Sequence, residues 1–327
     1  MTIFCSSSLF YNDSFQMILL TLIFALMIDH IIGEPKRFHP LILFGNIAQF
    51  IEQKLNQGSK TRRFLSGILA WCVLIIPLPL IYLWLMFILP SFVLLVLNIY
   101  IVYWAVALNS LNLHGMQIYQ PLAENNLDQA RHYCSYIVSR DTSELDEQAI
   151  SRATTESMLE NGHDGVTATL IYFVIGGAPL VIIHRLSNTL DAMWGYRNEQ
   201  FNYFGKFSAR MDDLLGFVSG KITTLLFMMI GFLKRKGKQA LVNAYQQSKN
   251  YKSHNGGWVM ASGATVLNVC LGGRAVYFGK SVDSPLLGEG EVVKAKHIKA
   301  SLALVKQAVL LWLVIVFIYQ LSSAVFI

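Results

Sequence analysis

FLSGILAWCVLIIPLPLIYLWLMFILPSFVLLVLNIYIVYWAVALNSL, residues 64–111, decides the fold. A membrane-crossing helix takes about 20 mostly apolar residues, so this run is too long for one crossing. Pro90 breaks it, because proline removes a backbone donor and clashes with the preceding turn. The run therefore predicts a hairpin of two spans. Working outward, residues 15–32 read as a first span, with neither a basic leader before it nor a small-residue cleavage site after it. Residues 166–184 hold Gly176, Gly177 and Pro179 in their middle, which suits either a kinked span or a re-entrant segment buried among other helices. Residues 214–233, carrying Lys221, and residues 302–327 complete the set. Hydrocarbon cannot satisfy an open backbone, so every span is expected to be helical. The expected fold is all-α: a polytopic integral membrane protein with five or six transmembrane or re-entrant helices and polar helical loops, forming a single membrane domain over 1–327.

Composition agrees. Of 327 residues 54% are hydrophobic and 14% charged, with a mean hydropathy of +0.45, whereas a soluble domain carries about 25% charged residues. Disorder, coiled coil, collagen and small disulfide scaffolds are excluded on the same grounds. The surplus of 26 Lys+Arg over 20 Asp+Glu reads as topology, and no nucleic-acid partner is expected. Cys5, Cys72, Cys134 and Cys270 lie far apart with no CxxC pair, which speaks against a disulfide framework or a zinc site.

The charge collects in four polar stretches, 33–63, 112–165, 185–213 and 234–301, with six, three, four and eleven Lys+Arg respectively. These stretches are expected to form the active-site side. The positive-inside rule places 33–63 and 234–301 in the cytoplasm. Six full crossings put 185–213 outside; a re-entrant 166–184 puts it inside, and both remain open at this point. Leu41, Phe44, Ala48, Ile51 and Leu55 recur at helical spacing with Gln49, Glu52, Gln53 and Asn56 between them, predicting an amphipathic helix on the membrane or on the bundle. Residues 126–161 also read as helical, with acidic exposed faces.

Four clusters can carry chemistry. Asp29 is followed by GEPKRFHP, 33–40; a carboxylate deep in a membrane helix costs about 2.5–3.5 kcal/mol and calls for a partner such as Arg37 or His39, unless headgroups solvate it. In the second, Arg152, Glu156 and Glu160 share a helix face, with Asn161, His163 and Asp164 at its end. Carboxylates so placed suit Mg²⁺ with a polyphosphate, although a solvated ion-pair face accounts equally for Arg152 and Glu156. The third is residues 188–215, where Asp191, Arg197, Arg210, Asp212 and Asp213 alternate with aromatics, a mix that binds an anionic, partly apolar ligand or forms a plain interfacial loop. The fourth, HNGGWVMASGA (254–264) with LGGRAVYFGKS (271–281), imitates a phosphate loop. Five residues separate Gly273 from Gly279-Lys280-Ser281 where the motif needs four, so it is not a Walker sequence. Its glycines remain a weak signal for backbone N–H groups turned toward a phosphate.

The order of motifs is more specific than any one. GEPKRFHPLILFGNIA (33–48), ARHYCSYIVSRDTSEL (130–145), ATTESMLENGHDGV (153–166), GGAP (176–179), NTLDAMWGYRNEQFNYFGKFSARMDDLL (188–215), NGGWVMASGA (255–264) and LGGRAVYFG (271–279) together resemble the CobD/CbiB family of cobalamin-biosynthesis membrane proteins, adenosylcobinamide-phosphate synthases. The likeness runs over nearly the whole chain. It implies an ATP-dependent amide synthase, a carbon–nitrogen ligase, that joins aminopropanol phosphate or a related amino-alcohol phosphate to the free carboxylate of adenosylcobyric acid. It further implies a multi-pass protein of the bacterial inner membrane that uses ATP and Mg²⁺, has no tightly bound cofactor, and has other cobalamin-assembly membrane enzymes as possible partners. The family pattern is matched at Asp29, Gly33, Pro35, His39, Pro40, Arg140, Asp141, Glu156, Glu160, Asn161, Asp164, Asp191, Gly195, Tyr196, Arg197, Gly205, Arg210, Asp212, Asp213, Asn255, Gly257 and Trp258. It is not matched after Asp213, where Gly216-Phe-Val-Ser-Gly-Lys221 replaces an Asn and a Pro-Ala-Arg step, nor after Asp164, where Ala168-Thr169 replaces Ala-Pro.

On this resemblance Glu156, Glu160, Asp164, Asp212 and Asp213 are the candidate catalytic groups. Glu160, Asp164 and Asp213 are possible Mg²⁺ ligands, and Arg140, Arg197 and Arg210 are phosphate clamps. Asp29, His39, Asp141, Asn161, Asp191, Tyr196, Asn255 and Trp258 complete the expected substrate contacts, with Tyr196, Phe201, Tyr203 and Trp258 available to stack on a corrinoid edge. The other readings are a transporter for a corrinoid or another anion, working through Asp29 and Lys221, and a non-catalytic regulator that keeps the fold.

Overall fold

The computed structural model describes residues 4–34, 39–138, 140–277 and 280–325. In chain order the helices are α1 (Phe4–Ile32), α2 (Pro40–Leu55), α3 (Lys60–Ile75), α4 (Pro77–Ile88), α5 (Ser91–Ala105), α6 (Leu108–Ala123), α7 (Leu127–Cys134) and α8 (Glu147–Gly162). A π-turn (His163–Thr167) leads into α9 (Ala168–Trp194), α10 (Lys206–Phe232), α11 (Gly237–Gln247) and α12 (His254–Leu267). The strands β1 (Cys270–Tyr277) and β2 (Lys280–Gly288) then precede α13 (Lys296–Val325).

Five stretches among the described residues are long and apolar enough to cross a membrane: Lys60–Ile88, Ser91–Ala123, Glu147–Trp194, Lys206–Phe232 and Lys296–Ser323, and Met17–Ile32 is a shorter apolar helix. The chain is thus an all-α multi-pass membrane protein. Large side chains such as Phe87, Phe92, Trp84 and Leu310 stand exposed along these helices, the surface that lipid covers. The break at Pro90 lies between the end of α4 at Ile88 and the start of α5 at Ser91. Within α9, Gly176 and Gly177 leave helical geometry, with Gly177 at φ 63; a positive φ suits only glycine here, and Pro179 cannot bond backward across the gap. The segment 166–184 thus consists of two helical pieces joined at this break, a geometry that suits a kinked span and a re-entrant segment alike.

Two compact units form. Unit 1 comprises Met1–Val106, Thr169–Leu215 and Trp312–Ile327, and unit 2 comprises Ala107–Ala168 and Gly216–Leu311. Unit 1 closes around Phe44, Ala48, Trp71, Leu74, Leu190, Trp194 and Phe204, each large apolar side chain stabilising by roughly 1.5–3 kcal/mol when buried. The expected stripe on α2 supplies Phe44 and Ala48 to this core. Glu52, read from sequence as part of the polar face, is buried with them. Gly67 lets α3 come against the Phe204 carbonyl, which a Cβ would meet at 2.0 Å.

In unit 2, Gly115 and Gly162 make room for Leu302 and Val305 of α13. The strands, absent from the sequence expectations, pair antiparallel with a register shift between Leu271 and Gly273. Residues 126–161, expected as helix, are helical only in α7 and α8. Where 185–213 was expected to be loop, α9 runs through to Trp194 and α10 starts at Lys206.

Candidate functional site

Unit 2 builds one polar site along α8. The helix starts because Asp146 accepts from the Ala149 N–H at 2.7 Å, satisfying a donor the first turn leaves open. Just upstream, the Asp141 carboxylate accepts from the Ser143 N–H at 2.9 Å and its hydroxyl at 2.8 Å. Those bonds hold the Asp141 carboxyl below the usual range, and they fold the turn from which Arg140 reaches back. Arg140 Nη2 meets Glu156 Oε2 at 2.8 Å, with both side chains 10% exposed. The other oxygen, Glu156 Oε1, accepts from the Gly272 N–H at 2.8 Å. Glu156 therefore ties the α8 face to the Arg140 turn and to β1, and it is not half of a solvated pair with Arg152. Of the glycine amides suspected of facing a phosphate, that of Gly279 lies outside the described residues and that of Gly272 faces this carboxylate instead. Gly272 makes this possible: its φ is 80 and a Cβ there would meet the Pro285 carbonyl at 2.1 Å.

Beside this pair lies a cavity of about 170 Å³, lined by Arg140, Glu156, Ser157, Glu160, Asn161, Tyr251 and Lys252. Glu160 Oε1 sits where a Cβ on Gly256 would approach to 2.7 Å, so the carboxylate rests on the first turn of α12. That helix starts at Ser253, whose hydroxyl accepts from the Gly256 N–H at 3.1 Å, and its N-terminus carries partial positive charge. Asp164, Lys252, Glu156 and His163 are the charged and titratable groups that act on Glu160. Asp164 belongs to the π-turn, where His163 Nδ1 lies 2.7 Å from its Oδ1 and His163 Nε2 lies 2.9 Å from Ser219 Oγ. Asn255 packs over Gly216, its Nδ2 2.8 Å from where a Cβ would be. The Lys221 amine stands over the Trp258 ring, 3.1 Å from the centroid. One face of Trp258 is thereby covered, and its indole N–H donates to His254 Nε2 at 3.2 Å. Cys134, buried beneath α8, has its thiol pushed up to about 11 by that burial.

Unit 1 builds a second site from the loop between α9 and α10. Trp194, Tyr196, Arg197, Phe201, Lys206, Arg210 and Asp213 line a cavity of about 390 Å³. Arg197, Lys206 and Arg210 against Asp213 leave it positively charged. Asp213 lines the cavity and Asp212 does not. Asp191 is placed against the turn that follows it, since a Cβ on Gly195 would come within 2.1 Å of its Oδ1.

The clamp on this loop was not foreseen. Arg63 donates to Asn56 Oδ1 at 2.7 Å and to the carbonyls of Glu199 at 2.9 Å and Gln200. Asn56 donates to the Gln200 carbonyl at 2.9 Å and to Glu52 Oε1 at 2.6 Å. Lys60 and Arg63 flank the Tyr203 ring at 5.4 and 6.0 Å, which engages that ring within the protein. The signal for the clamp was Glu52, a charged residue among the polar positions of the amphipathic helix.

The first sequence cluster also lies in unit 1. Asp29 is buried. His39 caps α2 by accepting from the Leu41 N–H at 3.2 Å, stands 3.2 Å from Glu34 and meets Trp104 edge-on at 4.8 Å. Burial lowers its pKa, against the opposing pull of Glu34, so at neutral pH it acts as an uncharged cap. Pro35 and Arg37 lie outside the described residues.

A family model described as CobD/Cbib protein matches residues 22–305. A protein of Stutzerimonas stutzeri named Cobalamin biosynthesis protein CobD is 44% identical over 299 residues, 91% of this chain and 96% of that relative. A protein of the same name in Chromobacterium violaceum is 39% identical over 293 residues, 88% of this chain and 92% of the relative. A Pyrococcus furiosus protein named Probable cobalamin biosynthesis protein CobD is 43% identical over 213 residues, 65% of this chain and 73% of the relative. No solved structure matches the chain.

Proposed function

The chain belongs to the CobD/CbiB family of cobalamin-biosynthesis proteins, and from that premise we propose that it is an ATP-dependent amide synthase. It joins the amine of an amino-alcohol phosphate such as aminopropanol phosphate to the free carboxylate of adenosylcobyric acid, at a bacterial cytoplasmic membrane. The observation that carries this reading is Glu160, a carboxylate held on a helix N-terminus in a polar cavity whose walls bear Arg140 and Lys252.

A carboxylate is a poor electrophile. In the proposed reaction its oxygen takes the terminal phosphoryl group of ATP and ADP leaves; the amine then attacks the carbonyl carbon, expelling inorganic phosphate and giving up one proton. Arg140 and Lys252 offset charge on the transferred group, the electrostatic contribution that dominates phosphoryl transfer. Among the described residues no three His, Cys, Asp or Glu side chains form a ready metal cage. Mg²⁺ does not require one, since it binds through one or two carboxylates and completes its shell with phosphate oxygens and water. Glu160 and Asp164 fit that role in unit 2, where the ion, when bound, neutralises phosphate charge. In unit 1, Arg197, Lys206 and Arg210 bind an anionic group of a substrate, with Tyr196 and Phe201 against its apolar part.

The deciding experiment incubates purified, detergent-solubilised protein with adenosylcobyric acid, aminopropanol phosphate, Mg²⁺ and ATP, and seeks the amide by mass spectrometry. ATP-dependent product supports the synthase. Folded protein that binds corrinoid without forming product turns the reading to transport or regulation. Glu160→Gln is expected to lower kcat about 10²-fold or more, the scale for removing one preorganised electrostatic group. Asp213→Asn is expected to act mainly on KM for the anionic substrate. Unchanged kinetics in both variants defeats the site assignment.

A further inference from the structure

His163 and Asp164 are adjacent in sequence, and adjacent residues of an α-helix do not face each other. Here they do, because the chain leaves α-geometry at that point: His163–Thr167 is a π-turn. Such single wide turns concentrate at functional sites. The result is a buried chain of contacts, Asp164 Oδ1 to His163 Nδ1 at 2.7 Å and His163 Nε2 to Ser219 Oγ at 2.9 Å. The ring is 1% exposed and Ser219 0%, whereas the Asp164 side chain is 29% exposed. Only the carboxylate end reaches out. Gly220 lies next to the ring, where a Cβ would make ordinary van der Waals contact with the imidazole at 3.7 Å. A second hydroxyl pair, Thr167 with Thr223 at 2.7 Å, joins the same two segments one turn on.

The donor roles follow from chemistry. An ionised carboxylate only accepts, so the proton on the imidazole sits on Nδ1, and in the neutral ring Nε2 then accepts from the Ser219 hydroxyl. Ser219 has the Gly216 carbonyl 3.4 Å away as an alternative acceptor, but the shorter contact is to the ring. We infer that His163, its Nδ1 proton fixed by the Asp164 carboxylate and its ring orientation fixed by Ser219, is a positioning residue that holds the Asp164 carboxylate beside the reaction site of unit 2. This rests on the synthase reading only for the identity of the reaction; the Ser219–His163–Asp164 geometry stands apart from it. Ser219 lies in segment 216–221, where this chain departs from the family pattern.

The test exploits the two amide isosteres. His163→Asn places an N–H near the Nδ1 position and keeps the Asp164 bond; His163→Gln places its amide near Nε2 and keeps only the Ser219 side. Full-length protein in detergent is compared for kcat, KM and thermal midpoint. The expectation is that His163→Gln lowers kcat about 10–100-fold, the range for removing an outer hydrogen-bond partner of a functional group, with KM and midpoint held. His163→Asn retains most of kcat, and Ser219→Ala falls between. Equal losses in Asn and Gln, or no loss in either, overturn the inference. Should wild-type protein form no amide, the synthase reading fails by itself. The ¹⁵N spectrum of histidine-labelled protein then tests the positioning. A proton on Nδ1 of His163, with the Nε2 resonance shifted by Ser219→Ala, upholds it; a proton on Nε2 overturns it.

Discussion

Arg140→Ala is expected to lower stability by about 3–5 kcal/mol, the scale for removing one partner of a buried ion pair. The argument starts from Glu156, buried on α8 with Arg140 on one oxygen at 2.8 Å and the Gly272 N–H on the other at 2.8 Å. Without the guanidinium its charge keeps one backbone hydrogen bond and little water. Nor can the loss stay local, because the same carboxylate links α8, the Asp141 turn and β1. A double variant, Arg140→Met with Glu156→Leu, separates this from a general intolerance of the site: it removes both charges, and apolar pairs often match or exceed the ion pair they replace. The measurement is the thermal midpoint in detergent at one scan rate. A large drop for the single variant and partial recovery in the double is the expected pattern; equal drops would mean that packing, not charge, holds the site together. Product formation is lost in both, since Arg140 also lines the cavity.

The membrane architecture was legible because its signals are local and additive. Runs of apolar residues, a proline between two of them and a Gly-Gly-Pro break need no knowledge of partners, and the structure places interruptions at Pro90 and at Gly176–Gly177. The amphipathic stripe of α2 was read for the same reason. Glu52 was read only as one of the polar positions of that helix, because its burial depends on Asn56 beside it, on Arg63 and on Gln200 far along the chain, and helical periodicity carries no information on such contacts. The β1–β2 pair escaped for a related reason. Its register break and the positive φ of Gly272 and Gly273 accommodate a carboxylate from α8, so its glycines looked like a ligand loop. The candidate site was legible as residue types and not as roles. Glu156 and Glu160 are one turn apart on one face and both line the cavity, yet the first is also held in an ion pair with Arg140.

Gly205→Ala is expected to be the most damaging single methyl in unit 1. A Cβ there would stand 1.8 Å from the Trp194 carbonyl oxygen and 2.6 Å from its carbon, so backbone must move. Trp194 cannot yield easily: it is buried in the unit 1 core and meets Phe204 edge-on at 4.9 Å. Overpacking of this kind costs about 1–3 kcal/mol and more where no flexible side chain can give way; the clash with a carbonyl places this variant at the upper end. The displaced turn also carries Arg197 and Lys206, so the cavity of unit 1 opens together with the loss of packing. Gly45→Ala is the matched control on α2. There a Cβ meets only the flexible Met193 side chain, its sulfur at 3.6 Å, and alanine raises helix propensity by up to about 1 kcal/mol. The control is therefore expected to unfold at or above the wild-type midpoint and to retain binding of the anionic substrate. Gly205→Ala is expected to unfold well below it, with KM for that substrate raised in whatever fraction remains folded. A Gly205→Ala protein with wild-type midpoint and KM would show that the loop between α9 and α10 does not shape the binding site.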